Sequence, residues 1–463
     1  MADFNPSKCE IIRAEITPFV TKGKKPVDIS LMIGSLSIQQ SINSVAISGT
    51  IDVLDSVGLI EDVPLRGEES LELELKSLDT NTSITIRAQI YKISDVSSSV
   101  STKQLTYTLH WITKTSFNAS KRRLIKAFRD KKASNIVKEI FEESFAKISP
   151  STTSKTDPTS LPDKTLQFNI NNDARRKLYI QETEDNMRVI IPDYMPTQAI
   201  GFVAARTHSK TDSKSSSFRF FETFDSYYFV SDEWLFKRGA INKVKEFTYS
   251  PFVNSDASDV NAQVKSLISF NNNRRADVAS ELLGGAYQNS VFEIDLLKHT
   301  AKRYNYKYLD GDKNTFTTST GKKANSEIDI HSKEFIEDTF SAENAKRFMI
   351  IRDYREKANA GEFRDESYFR DIAARRMMYF QHMRATQVSA STRGRLDLQA
   401  GEVIKVLVKE MNVSGQSESN NQLSGRYLVT SITSIISEGV LTTGLTLFKY
   451  DWSDTNSDPE GVS

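Results

Sequence analysis

One cysteine stands in 463 residues. Cys9 has no partner for an internal disulfide, and no multi-cysteine metal site can be built, which fits folding in a reducing compartment. The remaining reading of that position is a free reactive thiol. Long apolar runs are missing too: none approaches the ~18 residues of a membrane-spanning helix. The opening MADFNPSKCEII lacks the apolar stretch of a signal peptide. The expectation is a soluble chain with no membrane anchor. Neither sign of charge is in excess. Lys+Arg 61 against Asp+Glu 60 leaves +1, so no global field draws nucleic acid or an anionic membrane.

Signatures of catalysis are equally scarce. There is no Walker-type phosphate loop, no G-x-G-x-x-G, no G-x-S-x-G elbow and no H-E-x-x-H. The five histidines stand singly, and His110 has no second His near it to share a metal. Glu182 and Glu184 form an acid pair such as a glycosidase uses, but among 60 carboxylates such pairs are common. At 310–314, DGDKN alternates acids and Asn as a calcium loop does. Thr315 then stands where that loop requires Gly, and Gly321 where it requires a bidentate Glu, so a surface turn fits better. No catalytic, cofactor-binding or metal-binding residue is assigned, and no enzymatic activity is expected.

What the chain has is strands, in a length that allows about three domains of roughly 150 residues each. Within 29–113, Val45, Ile47, Gly49, Ile51 and Val53 alternate with polar residues; so do Leu71, Leu73 and Leu75, then Ile84, Ile86, Ala88 and Ile90, then Leu105, Tyr107, Leu109 and Trp111. With Leu31, Ile33 and 36–38 in front, the pattern predicts five antiparallel strands in a small barrel or sandwich. Next, KRRLIKAFRDKK (121–132) carries seven basic residues against one Asp. One continuous helix through it would oppose the macrodipole at both ends, so a short extended or irregular segment is expected, with Ser134 capping a helix over 135–147. The basic run reads as a solvated face, a docking patch or a nucleic-acid contact. Residues 149–163, rich in Ser, Thr and Pro, read as a linker or a long exposed loop.

Further on, 196–206 reads as a helix with Pro196 in its first turn. Residues 218–236 hold nine aromatics but Arg219 as the only cation, which favours a pair of buried strands over a base-stacking platform. A strand is expected at 241–249. A helix is expected at 365–383, with Phe369, Ile372, Ala373, Phe380 and Met383 on its buried side and Arg375 and Arg376 snorkelling from its flank. Antiparallel strands follow over 393–450, with Ser and Thr on solvent faces, and 454–463 is a polar tail.

The order of these segments, SNIVKEIF (134–141) and the closing patterns Gly394, Leu396, Leu398, Ala400, Gly401, Ile404 and Ser424, Gly425, Tyr427, Val429 together resemble the central baseplate hub proteins of contractile-tailed bacteriophages, which are similar to the base of the type VI secretion spike. The resemblance implies an α+β, mainly β fold: two tail-tube-like antiparallel β-barrel domains with inserted α/β material. The domains would be 1–115, an α/β middle domain at 116–240, a split second barrel at 241–310 plus 386–452, an inserted helical segment at 311–385 and a tail at 453–463. No residue-level repeat relates the two barrels. The resemblance further implies a virion protein of the tail baseplate, assembled in the host bacterial cytoplasm. It would be a homotrimer joining a hexameric tail tube to a trimeric central spike or tail lysozyme protein, contacting baseplate wedge proteins, with DNA passing its lumen without sequence-specific binding. No cofactor is implied. Three alternatives stay open: the spike base of a secretion or injection machine, for which a fused C-terminal needle is expected beyond Ser463; a tail-associated peptidoglycan or polysaccharide hydrolase; and a single-strand nucleic-acid binder using the aromatic run.

Overall fold

The computed structural model describes residues 7–18, 26–62, 65–78, 81–99, 104–150, 161–162, 164–171, 173–184, 186–210, 216–250, 264–274, 277–307, 335, 338–339, 346–351, 368–383, 386–411, 417–420 and 423–449. Its first unit comprises β1 (Cys9–Thr17), β2 (Val27–Asp28), β3 (Ile33–Ser41), β4 (Ser48–Asp55), β5 (Ser70–Ser77), β6 (Ser83–Ser99) and β7 (Gln104–Thr113), with the short helices α1 (Leu59–Asp62) and α2 (Lys114–Ser120). All its pairings are antiparallel, in the order β3-β4-β7-β6-β5-β1-β2. The alternation resolves into one core: Leu36, Ile51, Leu73, Ile86, Leu109 and Trp111 are buried together. Where β3 and β4 press closest only glycine fits, because a Cβ on Gly49 would run into the Ser37 carbonyl and stand 2.6 Å from the Trp111 ring. Strand β1 was not expected from the sequence. A register shift between Ile11 and Arg13 breaks its alternation halfway along.

The middle unit contains β8 (Leu124–Lys132), α3 (Ala133–Ser144), β9 (Ile148–Pro150), β10 (Thr165–Ile170), β11 (Asp173–Gln181), β12 (Asn186–Tyr194), α4 (Pro196–Ala204), β13 (Arg219–Glu222), β14 (Ser226–Val230) and α5 (Asp232–Ile241). A five-stranded sheet, β13-β14-β11-β10-β9, and a β8–β12 ribbon enclose α3 and α4. The basic run is strand β8. Its Lys126 and Lys131 reach across to α3, meeting Glu139 at 2.9 and 2.6 Å and, from Lys126, Glu143 at 2.8 Å. Helix α3 starts earlier than expected: Lys132 is its N-cap and Ser134 lies buried in the first turn, its N–H donating to Thr183 Oγ1. In the aromatic run, two strands form as expected, but Ser231 accepts from the Trp234 N–H and starts α5, so Trp234 and Phe236 are helical. The edge strand β9 takes in 149–150 of the stretch expected as linker or loop, and 151–160 lies outside the described residues.

The rest comprises β15 (Lys245–Tyr249), β16 (Leu267–Arg274), α6 (Val278–Gly284), β17 (Gln288–Asp295), β18 (Thr300–Lys307), β19 (Lys346–Ile351), α7 (Tyr368–Met383), β20 (Thr386–Arg393), β21 (Val403–Met411), β22 (Ser417–Ser419), β23 (Gly425–Ser437) and β24 (Val440–Lys449). Strands β16-β20-β24-β23-β21-β15 follow one another, and a parallel bridge from Thr248 to Ser266 returns β15 to β16, closing a second barrel. Strands β17, β18 and β19 pair among themselves in a separate sheet, so 288–307 stands outside that barrel although it falls in the span expected to form it. The expected strand at 241–249 begins only at Lys245, because Ile241 still ends α5. The DGDKN turn and the 454–463 tail lie outside the described residues.

Candidate functional site

The place where the units meet is made by one hairpin. The edge of β23 away from β24 pairs with β21 over Gly425–Leu428 and then with β3 over Ser431–Ser437, while on its other edge the pairing with β24 shifts register between Val429 and Ser431. Likewise β24 pairs with β20 from Thr442 onward, while at its start Lys8 bridges Val440 and the Leu441 N–H donates to the Ser7 carbonyl at 2.7 Å. The base of the hairpin thus completes the second barrel and its tip closes the first. The bulge residue Thr430 is the pivot: its carbonyl accepts the Ile42 N–H at 2.9 Å, and its hydroxyl donates to the Thr446 carbonyl at 3.0 Å.

Side chains along this junction are shared out among cores. On β23, Leu428 packs with Trp234, Tyr228 and Tyr379 where the middle unit, α7 and both barrels converge; Ile432 enters the second barrel and Ile436 the first. The turn before β21 does the same in fewer residues, sending Leu396 into the first barrel, Leu398 into the second and Ala400 into the central cluster. Gly401 ends that turn at φ +85, and a Cβ there would come within 2.8 Å of the Phe221 ring. The patterned glycine and leucines of 394–401 mark a three-way junction. Not all the hydroxyls in this region face solvent as expected: Ser424, Thr430, Ser434 and Thr443 are buried, and Ser424 accepts from the Val408 N–H at 2.9 Å.

Two polar nodes lock the middle unit in place. Glu222, 1% exposed, ends β13. Its Oε2 accepts from Thr113 Oγ1 at 2.6 Å, Ser116 Oγ at 3.0 Å and the Ile47 N–H at 3.3 Å, all from the first barrel and α2. Its Oε1 accepts from Arg176 Nη2 at 2.5 Å and the Tyr227 hydroxyl at 2.8 Å, both of the middle unit. Burial pushes Tyr227 far above its ordinary range, so its hydroxyl stays a donor. In the second node Arg219 grips Asp232 through two bonds, 2.6 and 2.9 Å, and also donates to Asn43 of the β3–β4 loop. Arg376 of α7 donates to the carbonyls of Ser216 (2.6 Å), Phe218 (3.3 Å) and Ala204 (3.4 Å) and lies over the Phe380 ring. It does not snorkel as expected. Burial and the nearby Arg219 charge push it down to about 10.

Candidates for chemistry are dispersed. His110 Nε2 lies 2.8 Å from Ser94 Oγ, and among the described residues no group of three or more potential ligands could hold a metal. Glu182 pairs with Lys210 at 3.0 Å, and neither it nor Glu184 lines either of two grooves between the units. The larger, about 930 Å³, runs between the first barrel and the middle unit and carries Arg13 beside Glu72 at 2.9 Å and Arg176 beside Glu222. The smaller, about 400 Å³, lies between the middle unit and the second barrel. Cys9 is buried, and burial, aided by Glu10, raises its thiol to about 11, which removes the reactive-thiol reading. Glu222 was not singled out in the sequence, and Arg376 was placed on the flank of its helix rather than in the interior. The visible signal for Glu222 was a carboxylate closing the run FRFFE, where a strand this apolar leaves a charge no route to solvent.

Two fused barrels, the first antiparallel throughout and the second antiparallel except where β15 pairs in parallel with β21 and bridges in parallel to Ser266, make the chain, with its α/β insertion, mainly β in its described residues. The same fold is found in solved tail proteins. A tail protein from Neisseria meningitidis MC58 superposes with a TM-score of 0.50 at 10% identity, over 94% of this chain and 96% of that one. The 43 kDa tail protein of prophage MuSo2 from Shewanella oneidensis does so with a TM-score of 0.50 at 9% identity, over 96% of this chain and 99% of that one. An Escherichia coli component of the type VI secretion system is also similar, with a TM-score of 0.40 at 11% identity. No family model matches the chain, and no curated protein matches it.

Proposed function

We propose that the chain is a structural hub of a contractile phage tail baseplate and carries out no catalysis. Three copies close around one axis, present six barrel faces to a hexameric tail tube, receive a trimeric spike or tail lysozyme protein on the opposite side, and meet baseplate wedge proteins at the rim. DNA leaves through the lumen without sequence-specific contacts. The observation that carries this reading is that the fold is shared nearly end to end with two tail proteins, barrels and insertion together. The mechanics agree with it. Two barrels that share one hairpin cannot turn independently, so each chain supplies a stiff arc of wall, and threefold closure gives strand edges neighbours to pair with. Native mass measurement of the purified chain at micromolar concentration tests the reading: the expected species is three chains, and a strict monomer, with or without spike protein, would overturn it. Clearing of host envelope suspensions by the purified chain, abolished by Glu182→Gln, would replace the hub with a hydrolase.

A further inference from the structure

Strand β6 has one edge that is only half used. On one side it pairs with β5 from Ser83 to Gln89, but on the other it meets β7 only from Ala88 onward, because the chain leaves the sheet at Thr113 and turns into α2. Two bonds fix the phase of the ladder. The Ser77 N–H donates to the Thr82 carbonyl and the Ile90 N–H to the Glu69 carbonyl, each at 2.9 Å, so residues 82, 84, 86, 88 and 90 turn their main-chain groups toward β5. Those of Ser83, Thr85 and Arg87 point the other way, where no strand pairs with them among the described residues. That edge opens into the larger groove. All five residues from Ser83 to Arg87 line it, whereas β5 contributes only Glu72 and Glu74. A strand that shows its face offers alternate residues; an unbroken run is a strand that shows its backbone. Across the groove the middle unit supplies apolar surface in Phe145, Ile170 and Phe224, and the space of about 930 Å³ suits one short extended segment. Its charges are mostly settled. Arg13 and Arg87 share Glu72 at 2.9 and 3.9 Å, Arg13 also reaches Glu74 at 3.7 Å, Arg176 holds Glu222, and Asp225 accepts from Gln399. Lys114 is the exception: it donates to Ser70 Oγ at 3.1 Å and has no ion-pair partner among the described residues. Following Thr113, which pairs with Ala88, it stands at the Arg87 end of the free edge.

We propose that this groove is a strand-addition site for a single extended segment of another protein, apolar at alternate positions and carrying one carboxylate at the end that meets Lys114. The segment's main chain pairs with Ser83, Thr85 and Arg87, and every second side chain lies on Phe145, Ile170 and Phe224. Main-chain pairing supplies affinity, and the alternation supplies selectivity. Walls neutralised from within offer no purchase to a nucleic-acid backbone. The segment enters alone, since a groove walled on both sides has no room for a sheet edge that brings its neighbours with it. The site lies within one chain and exists whether or not three chains close into a ring.

A random library of peptides about eight residues long, enough to run the length of the free edge, tests this when selected on the full chain and followed by anisotropy titration of the enriched members. Enriched peptides should alternate apolar residues, carry an acid at one end, and slow amide exchange within 83–87 by roughly tenfold when bound. Thr85→Pro should weaken them by roughly tenfold or more, because it removes a donor from the free edge and none from the β5 ladder, while Thr85→Val should bind as the wild type does. Lys114→Glu, an exposed change at the start of α2, should remove the acid from the enriched set and keep the alternation. Failure to enrich any peptide, or peptides that bind Thr85→Pro undiminished and leave 83–87 exchanging freely, would overturn the site. Protection of 83–87 that grows with protein concentration in the absence of peptide would assign the edge to a second copy and overturn the foreign segment as its occupant.

Discussion

At the scale of single residues, the molecule is held at its seams by polar groups that cannot be replaced piecemeal. Glu222 receives donors from two units through separate oxygens, so Glu222→Ala takes the carboxylate from the Arg176 guanidinium, 15% exposed, leaving it the Thr223 carbonyl at 3.0 Å, and removes the acceptor of the Thr113, Ser116 and Tyr227 hydroxyls. The expected loss is about 3–5 kcal/mol of unfolding free energy by denaturant titration, with Glu222→Gln losing less because the amide oxygen still accepts. A loss under about 1 kcal/mol would mean that the node does not hold the units together. Cys9 provides a test in pH. Its thiol is raised from 9.0 to about 11 in the fold, so between those values the unfolded chain releases a proton that the folded one keeps. Its contribution to stability is therefore complete below pH 9.0 and is lost as pH rises toward 11. Thiol reagents at neutral pH should label Cys9 only after denaturation, and Cys9→Ala should flatten the alkaline decline. Neither residue's partners were visible beforehand, since a lone carboxylate in an aromatic run and a lone cysteine reveal their surroundings only once distant strands converge.

At the scale of elements, legibility tracked how locally each element is determined. The five strands from β3 to β7 and helix α4 were readable because a period that holds over most of a strand, as it does in β3 and β6 beside their register shifts, or a Pro at the first turn needs no knowledge of the rest of the fold. Strand β1 was hidden by its bulge, β8 by lysines whose partners lie on α3, and the start of α5 by aromatics that suit a strand as well as a buried helix. The β23–β24 hairpin was legible as part of a run of antiparallel strands, yet its role was not: a period of two states which face is buried and is silent about the partner on each edge. That role has a measurable consequence. Ile432 and Ile436, four positions apart on one strand, belong to different barrel cores. Ile432→Ala and Ile436→Ala should each remove about 2–5 kcal/mol. Because the strand is common to both barrels, each substitution should raise hydrogen exchange in 36–38 and in 445–447 together. Faster exchange confined to the barrel that carries the substitution would show that the hairpin does not couple them.

At the scale of the whole molecule, coupling inside one chain and closure among three are separate matters, and protein concentration tells them apart. For a chain that folds and works alone, the shared hairpin and the two nodes already account for a cooperative unit, and its unfolding midpoint does not depend on how much protein is present. For a hub of three chains, unfolding is also dissociation, so each tenfold rise in concentration adds ~2.7 kcal/mol per trimer to the free energy that denaturant must overcome. A hundredfold series from micromolar upward should therefore displace the midpoint steadily to higher denaturant, and Glu222→Ala should lower every point of the series without changing that displacement, because its contacts lie within one chain. A midpoint indifferent to concentration, in a chain whose Glu222 variant is still destabilised, would leave the internal architecture intact and remove the threefold ring.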